Sequence, residues 1–241
     1  MLAIIFLTYV FMGFLFLVGS AFGESSSRTA GTPKYENNLS YQVIGASIVV
    51  ISMLVLSAMG QYTYSSLLSG RLEALLSAPI RVSTVLVITT IPMMIFGIIL
   101  FVSTAAPAIY LALYRHGVAA IVASIAIMSL GMIPLFALGL LLSLAVAKIG
   151  SPIILNLVQA VIFSFSGALY PLTILPEILR IIPLSLPTYY IAESLRSLAS
   201  SDIGFLPLGV PQLLMITIAY GSIGSILYRR FSRALRGGLY A

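Results

Sequence analysis

The chain is divided at residues 61–81, which read QYTYSSLLSGRLEALLSAPIR and form a polar island between two long apolar runs. At about 100° per residue, this island resolves into an amphipathic helix over residues 65–78. Pro79 ends that helix, because the residue before a proline is driven out of the α region. The two faces of the helix carry different side chains, with Leu68, Leu72, Leu75 and Leu76 on the apolar face and Ser66, Ser69, Glu73 and Ser77 on the polar face.

A helix this short and polar does not span a bilayer, and it lies along a membrane surface or against a partner. An interfacial connector without further function is the simpler alternative.

The composition is that of an integral membrane protein. Hydrophobic residues make up 60% of the chain, charged residues 7%, and the mean hydropathy is +1.14, whereas soluble domains carry about 25% charged residues. No polar stretch is long enough to build a soluble core of its own. The 241 residues therefore form a single transmembrane domain.

Six apolar runs predict an all-α fold with six transmembrane helices, since about 20 apolar residues cross the hydrocarbon of a bilayer. The first run exceeds the 7–15 residues typical of a signal peptide and has no basic residues before it, so a span is preferred to a signal peptide. The predicted spans are residues 2–22, 43–60, 84–113, 118–147, 153–170 and 211–228.

The segment between the fifth and sixth spans, residues 171–206, is broken by prolines every few positions. It predicts two short helices, at about 177–182 and 189–199, in place of a continuous span. Because the segment is rich in leucine and isoleucine, we expect it to be re-entrant and partly sunk in the membrane. Non-helical backbone at that depth is tolerated only where protein or water covers it.

The distribution of charge predicts the orientation of the chain. Six spans place both termini on one side, which then holds seven basic residues and one acidic residue, a net charge of +6. The other side holds five of each. By the positive-inside rule the first side is cytoplasmic, so the polar island and the C-terminal tail face the cytoplasm and the proline-broken segment faces out. This placement accounts for the basic balance without nucleic acid.

The chain lacks the residues that several kinds of chemistry require. No acidic or basic side chain lies inside a predicted span, which argues against an ion-coupled transporter. One histidine and no cysteine cannot supply a zinc ligand set, and no P-loop is present to cradle ATP. His116 is the single imidazole base available to a serine enzyme, and an exposed turn residue is its more common role. No catalytic, cofactor-binding or metal-binding residue is predicted.

Two motifs give the chain a resemblance to the ABC type-2 permease family. The sequence SGRLEALLSAP at residues 69–79 resembles the family's cytoplasmic motif. The sequences FSGALYP at 165–171, LP at 175–176, LPTYY at 186–190 and ESLR at 193–196 resemble its outer re-entrant region. Arg71 departs from the family, which more often has a small polar residue there. The family also usually has an amphipathic helix before its first span, so the N-terminus is either truncated or built without that helix.

The resemblance implies a permease of the cell membrane that pairs with a second permease copy, in a homodimer or a heterodimer. Each copy docks a separate cytoplasmic ATP-binding cassette subunit, which holds ATP and Mg, and substrates are generally exported. In such a protein the island is the coupling helix, with Leu68, Gly70, Arg71, Leu72, Glu73, Leu75, Leu76 and Pro79 as its functional residues. The outer re-entrant region is carried by Gly167, Pro171, Pro176, Pro187, Glu193 and Arg196.

Within this framework the leucine face enters a groove of the cassette subunit, and Glu73 and Arg71 set its register. Glu193 and Arg196 are three positions apart and lie on one helical face. They act near an outer gate or form a local ion pair worth little if exposed, and the second interpretation is slightly preferred. The basic tail anchors to lipid headgroups through Arg229, Arg230, Arg233 and Arg236.

Two other classes of function remain as rivals. One is a stand-alone secondary transporter or channel, which would work without an ATPase partner, and the other is an intramembrane enzyme. The substrate stays open, because apolar walls with scattered polar groups such as Asn156 and Gln159 suit lipids, drugs or glycolipids equally.

Overall fold

The computed structural model describes residue 10 and residues 38–71, 82–104, 117–170, 172, 175–199 and 206–238. Over these ranges the chain is helical without strands, which confirms the all-α class for the described part. The first predicted span lies outside the described residues apart from Val10. The helices are α1 (Asn38–Leu68), α2 (Val82–Thr104), α3 (Val118–Ile149), α4 (Ile153–Phe165), a 3-10 helix (Glu177–Arg180), α5 (Ile181–Ser185), α6 (Pro187–Ala199) and α7 (Leu206–Gly238).

Two helices in the described ranges are long and apolar enough to cross a membrane, α1 over Val43–Leu68 and all of α3. Shorter apolar stretches lie in α2, α4 and α7, at Ile91–Thr104, Ile153–Phe165 and Gly209–Gly224. At about 1.5 Å per residue, the 31 residues of α1 extend about 46 Å, beyond the roughly 30 Å of bilayer hydrocarbon. That the chain has six transmembrane spans remains a prediction.

Several helices end at positions different from the predicted span ends. Helix α1 continues through Gly60 to Leu68, because nothing from Gln61 onward breaks the helix before Gly70. Helix α4 stops at Phe165, after 13 residues, although the apolar run continues. Helix α7 is helical through the basic tail as far as Gly238 and contains Pro211.

The core lies where α6 is inserted among α1, α3 and α7, all of which it contacts. Large buried side chains of α1 and α3 meet there, including Ile48 and Ile51 of α1 and Met128, Met132 and Leu135 of α3.

Glycines let these helices approach closely. A Cβ at Gly139 of α3 would lie 2.4 Å from the sulfur of Met59, and a Cβ at Gly97 of α2 would lie 2.8 Å from the terminal methyl of Met132. At these crossings the methionine side chains therefore lie directly against the glycine backbone and would have to shift to accommodate a larger residue.

Candidate functional site

The first candidate region is the polar island, whose start is the end of α1. The amide of Ser69 donates to the carbonyl oxygen of Ser65 at 3.0 Å, and the amide of Gly70 donates to that of Leu67 at 3.2 Å. Gly70 has φ +68°, the left-handed conformation that commonly ends helices and that glycine adopts without strain. The helix predicted to begin at residue 65 therefore shares its first turn with α1, and the break falls at Gly70.

In this first turn a leucine is exposed and a serine is buried. Leu68, assigned to the apolar face, is 69% exposed, while Ser66, assigned to the polar face, is 3% exposed. Gly70 and Arg71 are also exposed. The remaining predicted coupling residues lie outside the described residues, and they are Leu72, Glu73, Leu75, Leu76 and Pro79.

The second candidate region is the segment from Ser166 to Ala199, here called the inserted segment. It begins with a bend after α4 in which Gly167 has φ +64°. The amide of Ala168 donates to the hydroxyl oxygen of Ser166 at 3.2 Å, a side-chain turn typical of serine. A Cβ at Gly167 would lie 3.1 Å from the ring of Tyr189, so this glycine also admits a close contact with α6.

Prolines and a backbone contact set the breaks in the inserted segment. Pro176 directly precedes the 3-10 helix, and the Nε of Arg180 donates to the carbonyl oxygen of Leu175 at 3.0 Å. Leu186 is extended, with φ −93° and ψ 134°, as expected for a residue before a proline. Pro187 follows it as the first residue of α6, where its missing amide hydrogen costs nothing. Pro171 lies outside the described residues.

Helix α6 is buried on its polar side as well as on its apolar side. Ile191, Ala192 and Leu195 are each at most 3% exposed. The buried polar side chains of the same helix are Thr188, Ser194, Arg196 and Ser197. This short helix lies inside the bundle, as the predicted re-entrant segment requires if its backbone is to be covered.

Arg196 forms the predicted ion pair with Glu193, but not at an exposed position. Its Nη1 lies 3.4 Å from Oε2 of Glu193, and the two side chains are 1% and 20% exposed respectively. Its Nη2 donates to the carbonyl oxygen of Ala168 in the bend after α4. The preferred interpretation was a local ion pair, of little worth only if exposed. Here the guanidinium is buried, and a desolvated guanidinium needs its partners.

Gly45 of α1 completes the surroundings of Arg196. A Cβ at Gly45 would lie 1.7 Å from the carbonyl oxygen of Ala168 and 2.8 Å from Nη2 of Arg196. Helix α1, the bend after α4 and helix α6 thus meet at one point, and the absence of a side chain at Gly45 is what permits it.

A second seat for α6 is formed on α3. A Cβ at Gly131 would lie 2.5 Å from Cγ1 of Ile191, so the isoleucine fills the space beside the glycine. Gly45, Gly131 and Ala168 were not predicted as site residues. A glycine inside an apolar span is a signal of close helix approach, but it does not identify the partner.

One polar contact joins α4 to α1 within their apolar stretches. The Nε2 of Gln159 donates to the carbonyl oxygen of Met53 at 3.3 Å and also to the hydroxyl of Ser57. Asn156, one turn earlier on α4, is exposed. The two amides noted in the sequence therefore differ, since one links helices and the other lies on the outer surface of the described chain.

Comparison with known families accounts for this architecture. The family model described as ABC-2 type transporter matches residues 1–199. The chain belongs to the ABC-2 type transporter family. A search of curated proteins found no significant match to this ABC-2 type transporter.

The match confirms the resemblance seen in the sequence, and it covers both the polar island and the inserted segment. This ABC-2 type transporter is thus a transmembrane permease component of an ABC transporter. Its own sequence contains no P-loop.

Proposed function

We propose that this chain is the permease subunit of an ABC exporter whose ATP hydrolysis takes place on a separate cytoplasmic subunit. The observation that carries the proposal is the family match over residues 1–199 in a chain without a P-loop of its own. ATP and Mg belong to the partner subunit. This chain supplies the path across the membrane and the surface on which movements of the partner subunit act.

The polar island is the proposed coupling surface. Its first turn presents Leu68, which is 69% exposed, at the end of a helix that extends beyond the hydrocarbon. Gly70, with positive φ, separates this turn from the rest of the island, so the two parts can follow different directions. Leu72, Leu75 and Leu76 continue the apolar pattern in the sequence, and Glu73 and Arg71 set the register of docking.

The family supports the proposed assembly, and the distribution of charge supports the proposed orientation. The chain pairs with a second permease copy, in a homodimer or a heterodimer, in the cell membrane. The net +6 of the island, the 148–152 turn and the C-terminal tail places both termini in the cytoplasm. The inserted segment then lies on the outer side.

The alternative is a stand-alone secondary transporter or channel. The predicted spans carry no acidic or basic side chain, whereas ion-coupled transport usually relies on such groups. Activity in the absence of any ATPase subunit would favour this alternative.

The test replaces residues of the island and measures transport per ATP hydrolysed in vesicles that contain the permease and its ATPase subunit. Leu72→Asp puts a charge into an apolar contact, which costs several kcal/mol, so the complex should dissociate or lose coupling. Glu73→Ala removes one charged contact worth about 1.5–3 kcal/mol if hydrogen-bonded. Transport should fall in this variant while membrane insertion persists.

Matched controls lie on the opposite predicted side of the membrane. Ile178→Asp makes the corresponding change at a residue that is 83% exposed, and Glu177→Ala does so at an exposed glutamate. Neither control should alter binding of the ATPase. Unchanged transport and unchanged ATPase binding in both island variants would show that the island is only a connector. Vanadate-sensitive ATP hydrolysis by the isolated chain would refute the proposal that ATP is hydrolysed on a separate subunit.

A further inference from the structure

Helix α6 is joined to the bend after α4 by the guanidinium of Arg196, at a point beside Gly45 of α1. Arg196 of α6 donates to the carbonyl oxygen of Ala168, and both groups lie against Gly45, where an added Cβ would be 1.7 Å from that oxygen. No side chain fits between α1 and this contact. The backbone of α1 therefore forms the wall of the place in which Arg196 and Ala168 meet.

An arginine at this position is not needed for simple packing. The neighbouring buried positions of α6 carry apolar side chains, at Ile191, Ala192 and Leu195, or the small hydroxyl side chains of Ser194 and Ser197. A buried charge is unfavourable unless its partners compensate for lost hydration, and among the described residues these partners include the Glu193 carboxylate at 3.4 Å and the Ala168 carbonyl. Such a contact is specific. Because Glu193 lies on α6 itself, the hydrogen bond to the Ala168 carbonyl is the part of this contact that joins α6 to the bend after α4.

The opposite side of α6 is held differently. Ile191 fills the space beside Gly131 of α3, where an added Cβ would be 2.5 Å from its Cγ1. This seat depends on shape and apolar contact, which do not switch off with the loss of one bond. Helix α6 thus has an apolar contact with α3 at Gly131 and a polar contact with the bend after α4 at Ala168, beside α1.

We infer that Arg196 is a positioning residue that latches α6 to Ala168 beside Gly45 and keeps the outer end of the bundle closed until the latch is released. The inference rests on the proposed exporter function, because that function requires the outer end to open. The apolar seat at Gly131 serves as the pivot, and the guanidinium contact serves as the part that breaks and re-forms.

The test uses a cysteine in α6 as a reporter, since the chain contains no other cysteine. Ser194→Cys changes one atom at a position that is 2% exposed. Intact cells are treated with a membrane-impermeant thiol reagent, and Ile178→Cys, at a position 83% exposed, provides the fully reactive reference. With Arg196 present, we expect Ser194→Cys to react slowly.

Adding Arg196→Gln should raise the reaction rate of that cysteine at least about tenfold, which corresponds to about 1.4 kcal/mol in the opening equilibrium. Arg196→Lys should restore part of the protection, because one ammonium can hold one partner but lacks the arginine fork. Slow labelling in Arg196→Gln chains that reside in the membrane overturns the latch.

A second variant breaks the same contact while keeping the arginine. Gly45→Ala places a methyl group where the Ala168 carbonyl lies, so it should also raise the labelling rate. Gly221→Ala is its control, since an added Cβ there meets nothing within 4 Å. If Arg196→Gln does not reach the membrane, Gly45→Ala and Arg196→Lys decide the same question.

Arg180→Gln controls for the loss of any arginine in the inserted segment, because Arg180 donates to the Leu175 carbonyl at 3.0 Å away from Gly45. It should leave Ser194→Cys protected. A rise as large as that in Arg196→Gln would indicate general loosening and overturn the assignment to Arg196.

Nucleotide dependence separates a latch from a merely structural contact. In cells that also make the ATPase subunit, ATP turnover should speed labelling of Ser194→Cys, and Arg196→Gln should remove this dependence by making labelling fast throughout. If Arg196→Gln is fast but the chain with Arg196 shows no response to turnover, the contact is structural and the latch is overturned. If the permease does not co-purify with any ATPase subunit, the proposed function fails. This result is independent of the labelling experiment.

Discussion

The polar island and helix α6 are both short, polar stretches in an apolar chain, yet their described arginines lie in opposite surroundings. At the start of the island, Arg71 is exposed. In α6, Arg196 is 2% exposed. The same residue type in two stretches of similar polarity therefore lies at the surface in one and in the interior in the other.

The difference shows that surroundings decide burial more than local composition does. The island's first turn is the end of α1, where Leu68 is 69% exposed. Helix α6 is enclosed by α1, α3 and α7 and provides internal partners, such as the carbonyl oxygen of Ser194 for the hydroxyl of Ser197 at 2.9 Å. A polar side chain can be buried when such a partner replaces water.

The comparison is tested most strongly by making the same substitution in both regions. Arg196→Gln removes a buried charge and leaves its partners behind, which should lower the free energy of unfolding by about 4 kcal/mol. Arg71→Gln changes an exposed side chain and should cost less than about 0.5 kcal/mol. Equilibrium unfolding in mixed detergent micelles measures both, and equal losses would contradict the proposed difference in burial.

A glycine in each region provides the next test. Gly45→Ala forces a methyl group into the Ala168 carbonyl and should cost about 3 kcal/mol, the upper part of the usual range for overpacking. Gly70→Ala meets nothing within 4 Å but has φ +68°, so its cost is backbone strain of about 1 kcal/mol. The same unfolding assay applies. A larger loss at Gly70 than at Gly45 would show that the close approach of α1 to α6 is not tight.

The smallest effect concerns the two amides of α4. Gln159→Leu removes the links to Met53 and Ser57 and should cost about 0.6 kcal/mol, the average for hydrogen bonds between membrane helices. Asn156→Leu removes an amide that is exposed on the helix and should leave stability unchanged or slightly higher. Thermal stability in the same detergent is sensitive enough to rank the two, and the opposite ranking would remove Gln159 as a link between helices.

Local residue chemistry determined the helical class and several of the breaks. High apolar content predicted helices long enough for a membrane, and the described part is helical throughout its regular structure. The end of the α5–α6 connection at Pro187 follows from the extended conformation of the preceding residue. Gly70 is the residue type that commonly ends a helix, and α1 ends beside it. The spacing of the leucines nevertheless predicted a continuous helix over residues 65–78, across Gly70.

The placement of Arg196 was decided by tertiary structure alone. Its spacing from Glu193 predicted the ion pair, since that contact is three residues away on one helix. Its hydrogen bond to Ala168 spans 28 residues, and its contact with Gly45 joins a helix near the start of the described chain. Such distant partners leave no periodic signal in the sequence, because a local pattern records which face of a helix is polar and not what will cover it.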